Sequence, residues 1–157
     1  MKLIDFGFSC FTDNKHLYKC SEGVEGTPNY LAPEVWDKKH IGSIEILKKS
    51  DVWSMGITFY VLAHLDFPFK KIEKRDKVKR PDLTTLKKST YMSIKDVQTS
   101  KFINEIINKC LILDYKKRAT AKDLYFNILT FIFEREFVIY PVDKDVEEYE
   151  PETNWGM

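Results

Sequence analysis

The stretch Gly26-Thr27-Pro28-Asn29-Tyr30-Leu31-Ala32-Pro33-Glu34 decides how the rest of the chain is read. Pro33 and Glu34 suit the first turn of a short helix, where proline is tolerated because no amide donor is needed. Ahead of them, residues 8–30 have little periodicity and many polar and glycine residues, which reads as a long loop. Loops of that length inside a compact domain are uncommon and often functional. Taken by itself, Thr27 is only a turn hydroxyl.

Working outward toward the front, residues 2–4 read as the end of a short strand running into Asp5-Phe6-Gly7. A strand that ends in an acid and a glycine is a common place to hold a metal ion. Behind the opening stretch, Ser50 is a plausible N-cap with Asp51 in the first turn. The helix it starts, residues 51–65, is apolar on nearly all sides and belongs in the middle of a domain. Asp66-Phe67-Pro68-Phe69 ends it. Pro81 is placed to open a further helix toward Ile94. From about Ser100, Phe102, Ile103, Ile106, Ile107, Cys110 and Leu111 fall on one helical face. Thr120-Ala121-Lys122-Asp123 resembles a capping box. The helix after it is expected to bury Leu124, Ile128, Leu129, Ile132 and Phe133. Six acids lie between Asp143 and Glu152, a solvated tail over 141–157. There are no internal repeats, and the fold class is mainly α with a strand remnant at the front.

The totals narrow the function classes. At 157 residues the chain has the size of one domain, and 43% hydrophobic with 14% aromatic residues suffices for a core. Charged residues make up 31% with a net charge of +1, so no whole-chain field argues for nucleic acid. Residues 70–88 carry nine basic and three acidic residues, which reads as a solvated face rather than a nucleic-acid patch. Cys10, Cys20 and Cys110 lack close metal-ligand spacing and fit reduced thiols in a cytoplasmic setting. Asp5 interrupts any signal-peptide pattern, and the longest apolar stretch, 57–65, is too short to span a membrane.

Asp5-Phe6-Gly7 alone is a weak signal. Gly26 to Glu34 raises it sharply, followed by Ser50-Asp51-Val52-Trp53-Ser54-Met55-Gly56 and then Cys110-Leu111-Ile112-Leu113-Asp114-Tyr115-Lys116-Lys117-Arg118-Ala119-Thr120. Four motifs in this order around a buried helix resemble the eukaryotic-type serine/threonine protein kinase family, from Asp-Phe-Gly onward only. The resemblance implies a helical carboxy-terminal lobe with the amino-terminal lobe absent. It divides 1–140 into an activation segment, 5–34, and a helical lobe, 35–140.

The resemblance also implies roles. Asp5 resembles the acid that holds Mg²⁺ against the phosphates of ATP, since Mg²⁺ takes hard oxygen ligands. Phe6 is similar to the aromatic whose packing sets active and inactive states, and Gly7 gives the turn backbone freedom. Gly26, Thr27 and Tyr30 fall in the substrate-docking segment, with Thr27 matching the threonine near the acceptor hydroxyl. Glu34, behind Ala32 and Pro33, matches a glutamate that pairs with a distant arginine, here Arg118. Asp51 matches the acid that accepts hydrogen bonds from the catalytic-loop backbone. Trp53 and Gly56 are core and packing positions.

Several features depart from the family pattern. The interval from Glu34 to Asp51 is long, Asp114 is followed by Tyr115 where proline is usual, and no glycine precedes Pro68-Phe69. Gly23 stands where a phosphorylated residue is common. These 157 residues contain no His-Arg-Asp loop, no phosphate-binding lysine strand and no Gly-rich loop ahead of Asp5. The resemblance therefore implies a truncated kinase, inactive as an isolated chain. A complementing amino-terminal half and a protein substrate are the partners it suggests. A non-catalytic interaction module or a decayed gene fragment is the alternative.

Overall fold

The computed structural model describes residues 6–9, 11–12, 17–18, 24–39, 43–72, 80–92 and 95–139. The expected strand at 2–4 and the acidic tail at 141–157 lie outside them. Within the described residues the architecture is mainly helical. The only ladder there joins β1 (Phe11–Thr12) to β2 (Leu17–Tyr18), antiparallel, inside the stretch expected to be irregular. A 3-10 turn at Pro28–Tyr30 leads into α1 (Pro33–Trp36), with Pro33 at its first position.

The central helix, α2, spans Ile44–His64 and starts earlier than its apolar pattern indicates. Its N-cap is Ser43, whose hydroxyl accepts from the Ile46 amide at 3.3 Å. Ser50 is no cap: it lies a turn and a half inside the helix, and its hydroxyl donates to Ile46 O (2.9 Å) and Glu34 Oε1 (3.2 Å). Burial of Ile46, Lys49 and Ser50 against α1 and the Arg118 turn holds this polar first part helical. The helix ends at Leu65, in a left-handed conformation (φ 57°), with its amide on Val61 O at 2.8 Å.

No helix forms from Pro81 toward Ile94 over the described positions 80–92; a single 3-10 turn, Leu83–Thr85, takes its place, capped by Asp82. The rest of that segment is pinned by side chains. The Ser89 amide donates to Asn108 Oδ1 (2.7 Å), and the Asn104 amide donates to Tyr91 O (2.6 Å). Ser89 Oγ donates to Asn104 Oδ1, so it accepts from His64 Nε2, which fixes the protonated ring nitrogen. Asp96 caps α3 (Val97–Cys110) through the amides of Gln98 and Thr99. Thr120 and Asp123 form the expected reciprocal cap before α4 (Ala121–Ile139).

Trp53 and Ile57 of α2 are sealed in the core with Ala32, Tyr60, Phe69, Ile107 and Leu111. Val52, Ile106, Cys110 and Leu124 form an adjoining cluster between α2, α3 and α4. Gly56 lets α2 and α3 touch. A methyl there would fall inside contact distance of Cys110 Cβ and 2.9 Å from Leu111 Cδ2. The apolar stripe of α4 departs from expectation. Leu124 is buried, but Ile128, Ile132 and Phe133 are exposed, because no described element covers that side of the helix.

Candidate functional site

The segment 24–39 is fastened to the helical core at four points. Gly26 has φ 118°, a backbone conformation that calls for glycine, and a Cβ there would meet the Leu31 Cδ2 methyl at 2.9 Å, which the leucine can relieve by turning. Thr27, exposed, heads the 3-10 turn and its hydroxyl caps nothing in that turn. The Asn29 side chain pairs like a strand edge with Ile72, accepting from its amide (2.9 Å) and donating to its carbonyl (3.1 Å). The Tyr30 carbonyl accepts from Ser54 Oγ of α2 (2.9 Å), and its ring meets Phe67 edge-on at 5.5 Å.

The fourth point is an ion pair. Arg118 Nη1 and Nη2 donate to Glu34 Oε1 (2.5 Å) and Oε2 (2.9 Å) as a parallel fork. Nη1 also donates to Lys49 O (2.7 Å) and Nε to Ile112 O (3.0 Å), so the guanidinium is satisfied around its plane. Both side chains are shut away from water, at 0% and 2% exposure. The guanidinium lies 5.0 Å from the Trp53 ring. Lys49 Nζ returns a hydrogen bond to the Arg118 carbonyl. A buried pair is tolerated only when geometry and extra hydrogen bonds offset desolvation, and both conditions hold here.

The remaining sequence candidates fall into four groups. Asp5 lies outside the described residues. Among the described residues no cluster of three or more His, Cys, Asp or Glu side chains could hold a metal. Phe6 and Phe8 are exposed at a turn closed by the Ser9 amide on Phe6 O (3.0 Å), with Gly7 between them. Ala32, Pro33, Trp53 and Gly56 are buried framework.

Asp51 stands at the surface of α2 without a described partner. Protein crowding one side of its carboxyl nevertheless raises its pKa above the usual carboxylate range. A carboxylate held this way is a ready acceptor for donors brought from elsewhere.

Sequence reading did not find Asn29, Lys49 or Ser54. Each acts between a side chain and a backbone group 24 to 69 positions away, and no residue-type pattern marks such a bond. The one available signal was the four-residue spacing that places Ser50 and Ser54 on the α2 face turned toward residues 30–34.

A forked Glu–Arg pair thus locks the segment 24–39 onto a buried central helix. A family model for the protein kinase domain matches residues 1–127, and the chain belongs to that family. It is 28% identical over 125 residues to the putative serine/threonine-protein kinase A of Trypanosoma brucei brucei, covering 80% of this chain and 26% of that protein. Against serine/threonine-protein kinase SRK2F of Arabidopsis thaliana the identity is 30% over 125 residues, covering 79% of this chain and 33% of the relative. Against serine/threonine-protein kinase kin-29 of Caenorhabditis elegans it is 35% over 126 residues, covering 79% and 13%. The chain thus spans a third or less of these relatives. Among the described residues no helix is long and apolar enough to cross a membrane.

Proposed function

We propose that the chain is the substrate-docking and helical part of a serine/threonine protein kinase. The whole-protein reaction moves the γ-phosphoryl group of ATP to a protein hydroxyl. The Glu34–Arg118 fork carries this reading, because it fixes the end of the docking segment to the core across 84 positions. Thr27, uncapped and exposed, suits a place beside the acceptor hydroxyl. These 157 residues contain no His-Arg-Asp and no Gly-rich loop ahead of Asp5, the parts that supply the base and the phosphate cover in this reaction. On its own the chain is expected to transfer no phosphate and to bind MgATP weakly, since Asp5 offers one carboxylate.

A second reading, a non-catalytic interaction module, draws on one observation. An apolar hollow of about 460 Å³ opens between α2, α3 and α4, lined by Phe59, Leu62, Tyr91, Phe102, Ile106 and Ile128. An apolar helix of a complementing kinase half suits it, and the first reading requires the same partner.

Mixing the chain with the part of the Arabidopsis relative that precedes the matched region tests both. Phosphate transfer to a serine-containing protein by the mixture, and by neither part alone, supports the kinase reading. Capture of that part without transfer supports the module. Transfer by the chain alone, or a micromolar MgATP dissociation constant for it by calorimetry, would overturn the first reading.

A further inference from the structure

Four lysines crowd the side of the docking segment where Asn29 and Tyr30 attach. Asn29 holds Ile72 by two hydrogen bonds, which sets Lys70 and Lys71 beside the segment. Tyr30 meets Phe67 edge-on, and Lys71 Nζ lies 5.6 Å from the centroid of the same Phe67 ring, so two contacts link the docking segment to a cation. The Lys87 amide donates to Pro68 O at 2.7 Å and brings Lys87 and Lys88 against the same strip. All four are exposed.

Their charges are not used internally. Among the described residues Lys39 and Arg80 pair with Asp37, Lys109 with Glu105, Arg118 with Glu34 and Arg135 with Asp96. Among the described residues none of Lys70, Lys71, Lys87 and Lys88 reaches a carboxylate. The one acid of the strip 66–72, Asp66, turns its Oδ1 onto the Phe67 amide at 2.8 Å. Glu25, exposed, stands at the head of the segment, and in sequence Glu73 follows Ile72 and Asp82 precedes Lys87. The result is a positive edge along a surface read as binding protein.

We propose that this edge selects substrate segments with Glu or Asp beside the acceptor hydroxyl. The inference rests on the docking reading of residues 26–34. Flexible lysine stems carrying solvated point charges accept carboxylates at several positions, so a run of acids suits them better than one fixed residue. Complementary charge of this kind acts on encounter rate and choice of partner, and it weakens with salt.

The test uses the full chain and two fluorescein-labelled peptides, one with a serine among Glu residues and one with Gln in their place. Fluorescence anisotropy should give about three- to tenfold tighter binding of the Glu peptide, the scale of two or three solvated charge contacts. The preference should shrink with added salt and vanish in Lys70→Glu/Lys71→Glu. It should persist in Lys116→Glu/Lys117→Glu, which makes the same charge change beyond Arg118. Equal binding of both peptides would overturn the acidic preference while leaving the docking reading intact. If neither peptide binds, both fall. Equal weakening by the two reversals, or binding of a single-stranded RNA of matched charge as tight as the Glu peptide, would also overturn it.

Discussion

The guanidinium of Arg118 lies flat against the carboxylate of Glu34, and Ser50, Lys49 and Trp53 of α2 surround the pair. The bond therefore joins three things at once: the first turn of α1, the start of the central helix, and the turn before α4.

Removing one partner should unfold more than a contact. Arg118→Ala strands the buried Glu34 charge, and Glu34→Ala strands the guanidinium, each at about 3–5 kcal/mol. The double variant should cost clearly less than the sum of the two. Urea denaturation of the three variants checks this. Additive losses of about 0–1 kcal/mol each would mean a pair that behaves as if solvated.

Gly56 offers a second test of the same core. At an exposed helix position alanine is better than glycine by about 1 kcal/mol. Here the added methyl collides with Cys110 Cβ and Leu111 Cδ2 across the α2–α3 contact. Cβ is fixed to the backbone and cannot swing away, so relief requires the helices to part. Gly56→Ala should destabilise by about 1–3 kcal/mol. A stability equal to the parent chain would show that α2 and α3 do not meet there.

Much of this was legible because certain residues have few alternatives. Pro33 stood out because proline suits the first turn of a helix, while Gly26 and Arg118 were marked only by the resemblance to the kinase family, and the structure gives them φ 118° and a buried ion pair. The Asp96–Arg135 pair and the Asn29–Ile72 clamp did not stand out, since ordinary surface residue types make them. The front of α2 was hidden for another reason. Glu45, Lys48 and Lys49 look like loop, and only tertiary burial of Ile46 and Ser50 holds them helical. In α4 the 3.6-residue pattern gave the helix and its apolar stripe, but periodicity does not say whether anything covers the stripe.

Leu65 sits in the left-handed conformation at the end of α2 with 90% of its surface exposed. Glycine takes that conformation without the clash of a Cβ, and it is the favoured residue just past a helix. Leu65→Gly should raise stability by up to about 1 kcal/mol, the relief being partly offset by the freer unfolded chain. A drop in the melting temperature would mean that the Leu65 side chain makes a contact that matters.

Cys110 is buried between α2, α3 and α4, and burial pushes its thiol up to about 12, against a smaller opposing pull from Arg118. The thiolate is the reactive form, so the native protein should resist alkylation at this position. Iodoacetamide followed by peptide mass spectrometry should find Cys110 unmodified at pH 8 and modified in urea. Rapid modification of the folded chain would place Cys110 at a surface.

The α3 cap gives the chain a weak point in acid. Hydrogen bonds from the Thr99 hydroxyl and amide, and then from Arg135, hold the Asp96 carboxyl down at about 2. Arg135 comes from α4 and also lies over the Phe131 ring, so the cap joins the starts and ends of two helices. In the unfolded chain the same carboxyl titrates near about 3.9. Its folded pKa is the lower of the two, so its contribution is fully present above about pH 4 and is lost as pH falls toward about 2. Asp96→Asn keeps an acceptor for the α3 amides but cannot be protonated in this range. The variant should be less stable than the parent at pH 7, and the gap should close as the pH is lowered from about 4 to about 2. Circular-dichroism melts across that window read the difference directly. A gap that stays constant with pH would mean that the Asp96 charge does not support the junction of α3 with α4.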